Sequence, residues 1–442
     1  MVKHLFSSSH VLSLLSQCAS AVLGMTIFLL YAKWMSPNEL GQIILFITSI
    51  TIADMLRSGF IQAGFVKFFQ GSDPRSKRKL LAASFALSFG CGIGLSILLL
   101  AIRGAHLFSG ASAELYLVAW PLLSITSFPG QWYTWVAQAE THFDRILGYR
   151  LINSLCVLGG VIALHVLDLL NPLNVGYVFC AAATLASGFV FIKKWARIPR
   201  LRDLSADYVK KLVNFGRFSM TTLLGTSLLK SSDTYLIGLF LGVKAVAIYG
   251  VAQKIAEVLE IPLRAISASM YPLMARPASD GNTLRIGRII ERFSSGYLLA
   301  LLIPGALLLA FAPAAVLVVG GPDYSDAIWV VRIFVIAAFF FPLDRMIGLA
   351  LDGLNRPNIN MYKVMLMLAL NGVGDIIVLM WFPSLWAVSV VTVIVALGGM
   401  TFGLIALQPD TKMSFQRALT YIRWWTKPAY LRLHLEKSTL RN

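Results

Sequence analysis

Charged residues are scarce in this sequence, and acidic ones are the scarcer kind. Asp, Glu, Lys and Arg make up 13% of 442 residues, against roughly 25% in an average soluble domain. With 57% hydrophobic residues, the chain is specified as a polytopic membrane protein rather than a soluble one. Only 21 acidic residues stand against 38 basic ones, a formal net charge of +17. In a soluble chain that excess would point to nucleic acid. Here it follows from basic loops facing an anionic lipid surface, so anionic membrane lipids are expected partners and nucleic acid is not. The four cysteines, Cys18, Cys91, Cys156 and Cys180, lie in apolar stretches without CxxC spacing or a histidine at ligand distance. They are expected as reduced packing residues, with no metal and no cofactor. Long outer loops are missing as well, the longest covering about a dozen residues around 103–114. No Ser-His-Asp spacing, paired loop carboxylates or Walker lysine is present, which argues against a membrane enzyme and an ATP-driven pump.

What is present is an alternation of apolar spans and short loops. Spans are expected at 11–31, 40–66, 80–102, 115–137, 151–167, 173–192, 218–241, 246–275, 293–319, 327–351, 359–382 and 385–407. Each crosses about 30 Å of hydrocarbon at 1.5 Å per residue, the fifth and sixth being short. Alternate loops, at 67–79, 145–150, 193–217, 276–292 and 356–363, carry most Lys and Arg; with Lys3 and the tail they hold 29, against Lys33, Arg103 and Lys244 on the other side. Basic loops stay cytoplasmic during insertion, so both termini are expected inside. The first span follows only Lys3 and lacks a small-residue cleavage site, so a retained helix is expected there.

The longest connection, 193–217, divides the spans six and six. Expected units are a lobe at 1–192, a basic cytoplasmic linker at 193–217, a second lobe at 218–407 and a basic cytoplasmic tail at 408–442. A shift of 206 positions lays 35–43 on 241–249 and Asp54 on Glu260, the pattern of parallel repeats facing a central cavity. In the tail, Phe415, Leu419, Ile422 and Trp425 share one face opposite Arg417. That fits an interfacial helix on the inner leaflet, with a solvated basic tail as the alternative.

Ionisable residues within spans are costly unless paired or hydrated, so their positions carry the functional evidence. Asp54 and Arg57 in span two, and Lys230 and Asp233 in span seven, are three residues apart. Lys254, Glu257, Glu260 and Arg264 fall within a roughly 120° arc of span eight, where Pro262 is expected to interrupt the helix and free a carbonyl. Span ten adds Arg332, Asp344 and Arg345, and span eleven adds Asp375. Ion pairs that hold the bundle together are the bland reading, favoured for Arg332 and Asp375. A polar cavity is favoured for the stripe on span eight. His142 and Asp144 lack a further metal ligand, and Gly90, Gly92 and Gly94 sit inside a span, where close helix packing is expected. Trp120, Trp132, Tyr133 and Trp135 are open to two readings: interface anchors, or sugar-stacking groups.

The segment LLKSSDTYLIGLFLGVKAVAIYGVAQKIAEVLEIPLRAISASMYPLMA at 228–275 resembles helices seven and eight of Wzx-type oligosaccharide flippases of the MOP superfamily. LDGLNRPNINMYKVMLML at 351–368 is similar to their second recurring segment. The resemblance implies an all-α, MATE-like fold of twelve transmembrane helices in two six-helix lobes around a central cavity. It further implies a monomeric, non-enzymatic transporter in the bacterial plasma membrane. Its substrate would be an undecaprenyl-pyrophosphate-linked oligosaccharide, moved from inner to outer leaflet for O-antigen, capsule or exopolysaccharide assembly beside a polysaccharide polymerase. Arg57, Lys230, Lys254, Arg264 and Arg345 are then substrate-binding candidates. Asp54, Asp233, Glu257, Glu260 and Asp344 are candidates for coupling to H⁺ or Na⁺; one charge moved across 100 mV is worth about 2.3 kcal/mol. A MATE-like cation-coupled multidrug exporter is the alternative, followed by a polysaccharide polymerase or ligase.

Overall fold

In the computed structural model, which describes residues 9–69, 72–104, 115–195, 199–279, 282–354 and 356–425, every regular element is helical. The helices are α1 (Ser9–Trp34), α2 (Pro37–Phe69), α3 (Pro74–Gly104), α4 (Trp120–Thr126), α5 (Phe128–Ala139), α6 (Phe143–Val166), α7 (Pro172–Ile192), α8 (Ala206–Phe240) and α9 (Val243–Ser279). They continue with α10 (Thr283–Ala310), α11 (Ala312–Val319), α12 (Ala327–Ala338), α13 (Phe341–Gly353), α14 (Pro357–Trp381), α15 (Leu385–Thr411) and α16 (Phe415–Trp425). Each of the twelve expected spans falls on helix. Among the described residues seven helices are by themselves long and apolar enough to cross a membrane, and α12 with α13 are so only together, bent at their junction, so this is a multi-pass membrane protein.

The interruptions have local causes. Span four begins with a π-helical turn (Leu115–Ala119) and breaks at Ser127, with Pro121 and Pro129 each entering the first turn of the next piece. Span ten bends by 46° where Pro342 opens α13. A proline at the first turn costs no helical hydrogen bond, because that N–H is an orphan anyway. The break expected at Pro262 is absent, since α9 runs unbroken through it. Pro262 is exposed on the helix surface, so its ring displaces no neighbouring helix. Three helix starts show side-chain caps: Ser36 and Glu39 form a reciprocal capping box at 2.9 and 3.4 Å before α2, and Asn171 and Asn282 accept the amides of Asn174 and Arg285 before α7 and α10.

Two compact units cover 1–247 and 248–442. The division lies beyond the expected linker, so α8, expected to open the second lobe, belongs to the first. Small residues explain this. A Cβ at Gly216 would lie on the Phe60 carbonyl, and one at Gly59 would come within 2.9 Å of Met220 Cα. The α2 and α8 backbones therefore touch, running antiparallel from Lys67 beside Phe215 to Ser49 bonded to Tyr235 at 2.6 Å. The core of this unit is aromatic: Trp132, Tyr133 and Trp135 are 1 to 2% exposed, and the Trp132 indole donates to Ser84 Oγ at 3.1 Å. Their burial removes both readings offered for these three side chains, interface anchoring and sugar stacking. Of the three glycines in α3, Gly92 packs against the Ser124 carbonyl, whereas Gly90 and Gly94 face open space.

In the second unit, α14 packs on α15, and Met274, Ile286, Ile290, Met346, Ile347, Leu351 and Leu407 form the core. The described part of the tail includes α16, which docks on α10, where Arg417 bonds the buried Glu291 at 3.1 Å; the side chains of Phe415, Leu419 and Trp425, on which the expected interfacial face rests, lie outside the described residues. Glu291 also accepts the Ser414 amide at 2.6 Å. Arg356 and Asp410 form a further pair at 2.7 Å.

Candidate functional site

In the first unit the site is built on α2. Arg57 is 8% exposed, and its Nη2 donates to Asp54 Oδ1 at 2.8 Å along the same helix. Gly92 of α3 faces this guanidinium, with its Cβ position 4.0 Å from Arg57 Nη1. Gln131 of α5 lies against the Asp54 carboxylate, and the neighbouring Gln62 donates to Gln138 at 2.7 Å. Arg57 Nε remains buried without a hydrogen-bond partner. A guanidinium holds five donors in a fixed fork, and one carboxylate cannot use them all. What results is a cation at span depth with unspent donor capacity. On α8, Lys230 is exposed while Asp233 is buried, its Oδ1 3.4 Å from the Ser232 hydroxyl.

The stripe expected on span eight is only partly a set of independent charges. Lys254 Nζ and Glu257 Oε2 are 2.8 Å apart, both about a third exposed. Glu260 lies one turn on, near Tyr297, whose hydroxyl donates to the Leu259 carbonyl at 2.8 Å. The side chain of Arg264 lies outside the described residues.

A second cluster in the same unit was not legible beforehand. Lys363, grouped by sequence with an inner loop, lies in α14, 4% exposed, with Nζ 2.6 Å from Asp344 Oδ1 of α13. Beside it Asn360 donates to Asp352 at 3.2 Å, in the field of Arg345 and Lys363. Arg345 itself is exposed. The one available signal was a lysine four residues inside an apolar helix. Arg332 lies 4.8 Å over the exposed Trp329 ring, and Asn371 bonds the buried Asp375 at 2.9 Å. Among the described residues no group of His, Cys, Asp and Glu forms a metal cradle.

A helical chain of this layout has counterparts among known folds. The structure is similar to an inward-facing multidrug resistance MATE transporter of the MOP superfamily, with TM-score 0.73 and 14% identity over 92% of this chain and 100% of that one. It is similar as well to the lipid II flippase MurJ in an inward closed conformation, with TM-score 0.75 and 12% identity over 94% and 90%. Likeness at that identity establishes the MATE-like fold. By sequence, the chain is 22% identical to a probable low-salt glycan biosynthesis flippase, Agl15, of Haloferax volcanii, over 45% of this chain and 43% of that protein. It is 24% identical to the teichuronic acid biosynthesis protein TuaB of Bacillus subtilis, over 36% and 33%. The matches thus span less than half the length of these relatives. Residues 8–277, more than half of the chain, match the pattern of one family, and the chain therefore belongs to the polysaccharide biosynthesis protein family.

Proposed function

We propose that this protein moves a lipid-linked glycan, an undecaprenyl-pyrophosphate-linked oligosaccharide, from the inner to the outer leaflet of the bacterial plasma membrane, with both termini cytoplasmic. The observation that carries the proposal is Arg57: a guanidinium 8% exposed at span depth, with one acid partner and Nε–H unspent. Holding a guanidinium there is expensive, and its remaining donors suit the oxygens of a phosphate or acidic sugar. The lipid tail stays in the bilayer while the polar head passes, exposed alternately to either side of the membrane.

Three of the acids assigned to coupling carry a lysine or arginine partner: Asp54 with Arg57, Glu257 with Lys254 and Asp344 with Lys363. A proton arriving on any of them would release its cation, so carboxylate and substrate phosphate compete for the same base and protonation of the acid frees that base for the phosphate. That favours H⁺ over Na⁺ as the coupling ion. The test is to delete the gene, complement with wild type or Arg57→Ala, and label lipid-linked repeat units leaflet by leaflet. Units stranded inside in the deletion and in Arg57→Ala support the proposal; outer-leaflet accumulation in the deletion sinks it.

A further inference from the structure

At the basic end of the first unit, the starts of α3 and α8 meet at one ring, beside the end of α2. Tyr208, in the first turn of α8, has its hydroxyl 2.7 Å from Ser76 Oγ in the first turn of α3. Lys79 Nζ stands 5.7 Å and Lys211 Nζ 6.0 Å from the centre of that ring. The two ammonium groups are therefore at most about 12 Å apart. Around them Lys211 also covers Phe68 at 4.3 Å, Lys67 covers Phe215 at 4.5 Å and Lys77 covers Phe69 at 5.0 Å. Loop lysines follow from insertion topology alone, but topology does not require them to be seated over a floor of rings.

The nearby carboxylates do not neutralise this set. Asp73 accepts the Arg75 and Ser76 amides at 3.0 and 3.1 Å and caps α3. Asp203 and Asp207 lie on the approach to α8, yet among the described residues no ion pair joins Lys67, Lys77, Lys79, Lys210 or Lys211 to any acid. Four ammonium groups held on rings repel one another until an anion arrives, and the ring contacts limit the rotamer entropy lost when it does.

We propose that the Tyr208 platform, with Lys79 and Lys211 beside its ring, is a loading site for the diphosphate of a lipid in the facing leaflet. It rests on the transport reading above and adds where the substrate first docks. A diphosphate carries more than one negative charge over a few ångströms and engages both lysines, whereas a phosphodiester lipid satisfies only one. The platform also sits at the end of α2, the helix that bears Arg57.

The full-length protein in phosphatidylcholine nanodiscs is titrated with farnesyl diphosphate, with phosphatidylglycerol and with inorganic pyrophosphate. The diphosphate lipid should bind at least tenfold tighter than either of the others. Lys79→Ala with Lys211→Ala should weaken it about thirtyfold, from about fivefold per lysine. Tyr208→Leu, which changes no charge, should also weaken it. Lys193→Ala with Lys194→Ala removes equal charge from the same membrane side and should leave binding within about twofold. Equal losses from the two lysine pairs, unchanged binding in Tyr208→Leu, or no preference over phosphatidylglycerol would each overturn the loading site. Leaflet labelling tests transport separately: normal translocation without diphosphate preference removes the loading site and leaves the transport reading standing.

Discussion

Lys363 and Asp344 offer the sharpest test of how this membrane protein tolerates charge. The lysine is 4% exposed and its Nζ lies 2.6 Å from the carboxylate, which is 28% exposed. At an effective dielectric of 20, Coulomb attraction at that separation is about 6 kcal/mol. Removing two groups from water offsets much of it, so the net worth of the pair is small while the cost of breaking it is not. Lys363→Met leaves Asp344 without its cation and should cost about 3 kcal/mol, the low end of the range of about 3 to 5 for buried pairs, because the carboxylate is partly hydrated. Asp344→Asn strands the more deeply buried partner and should cost as much or more. The double variant should cost less than the sum, by a coupling energy of about 2 kcal/mol. Equilibrium unfolding of all four proteins in mixed detergent micelles measures the cycle. Additive losses, with a coupling energy under about 0.5 kcal/mol, would refute the claim that the two charges depend on each other. The pair would then be a crossing of independent side chains.

Three further outcomes follow from other contacts. Gly216→Ala sets a methyl group against the Phe60 carbonyl and should cost about 1 to 3 kcal/mol in the same unfolding assay, whereas Gly398→Ala, with open space around it, should be neutral; equal effects would refute backbone contact between α2 and α8. Arg417→Ala removes the cation from the buried Glu291 and should release α16, read as faster limited proteolysis near Lys412; an unchanged rate means the tail is held by its other contacts. Asp73, exposed, is held below its ordinary value of 3.8 chiefly by the Ser76 side chain, with the Ser76 amide next. Because its folded value is lowered, the cap is fully present above pH 3.8 and fails only as pH falls through that lowered value. Amide exchange at Ser76, corrected for intrinsic rates, should accelerate only below pH 3.8, and acceleration on going from neutral pH to the ordinary carboxylate range would refute it.

Hydropathy made the spans legible because lipid demands long apolar runs, and α7 and α15 lie close to the bounds expected for them, whereas α6 begins eight residues before its expected span. Distances along a helix were legible for the same reason: charges three apart at 54/57 and 254/257 do pair. The identical spacing at 230/233 ends in an exposed lysine and a buried aspartate. Spacing fixes the angle between two side chains but leaves the rotation of the helix against its neighbours open, and that rotation decides burial. Lys363 was hidden by the same gap, since its partner is 19 residues away on another helix. A lysine near the start of a span satisfies the insertion rule whether it points to water or to a carboxylate. The grouping of α8 with the first unit depends on Gly59 facing Met220 and Gly216 facing Phe60 across two helices, which no one-dimensional count contains. Mid-span charges in such a protein are thus found by hydropathy, but whether each holds substrate, a coupling proton or its neighbour depends on helix rotation.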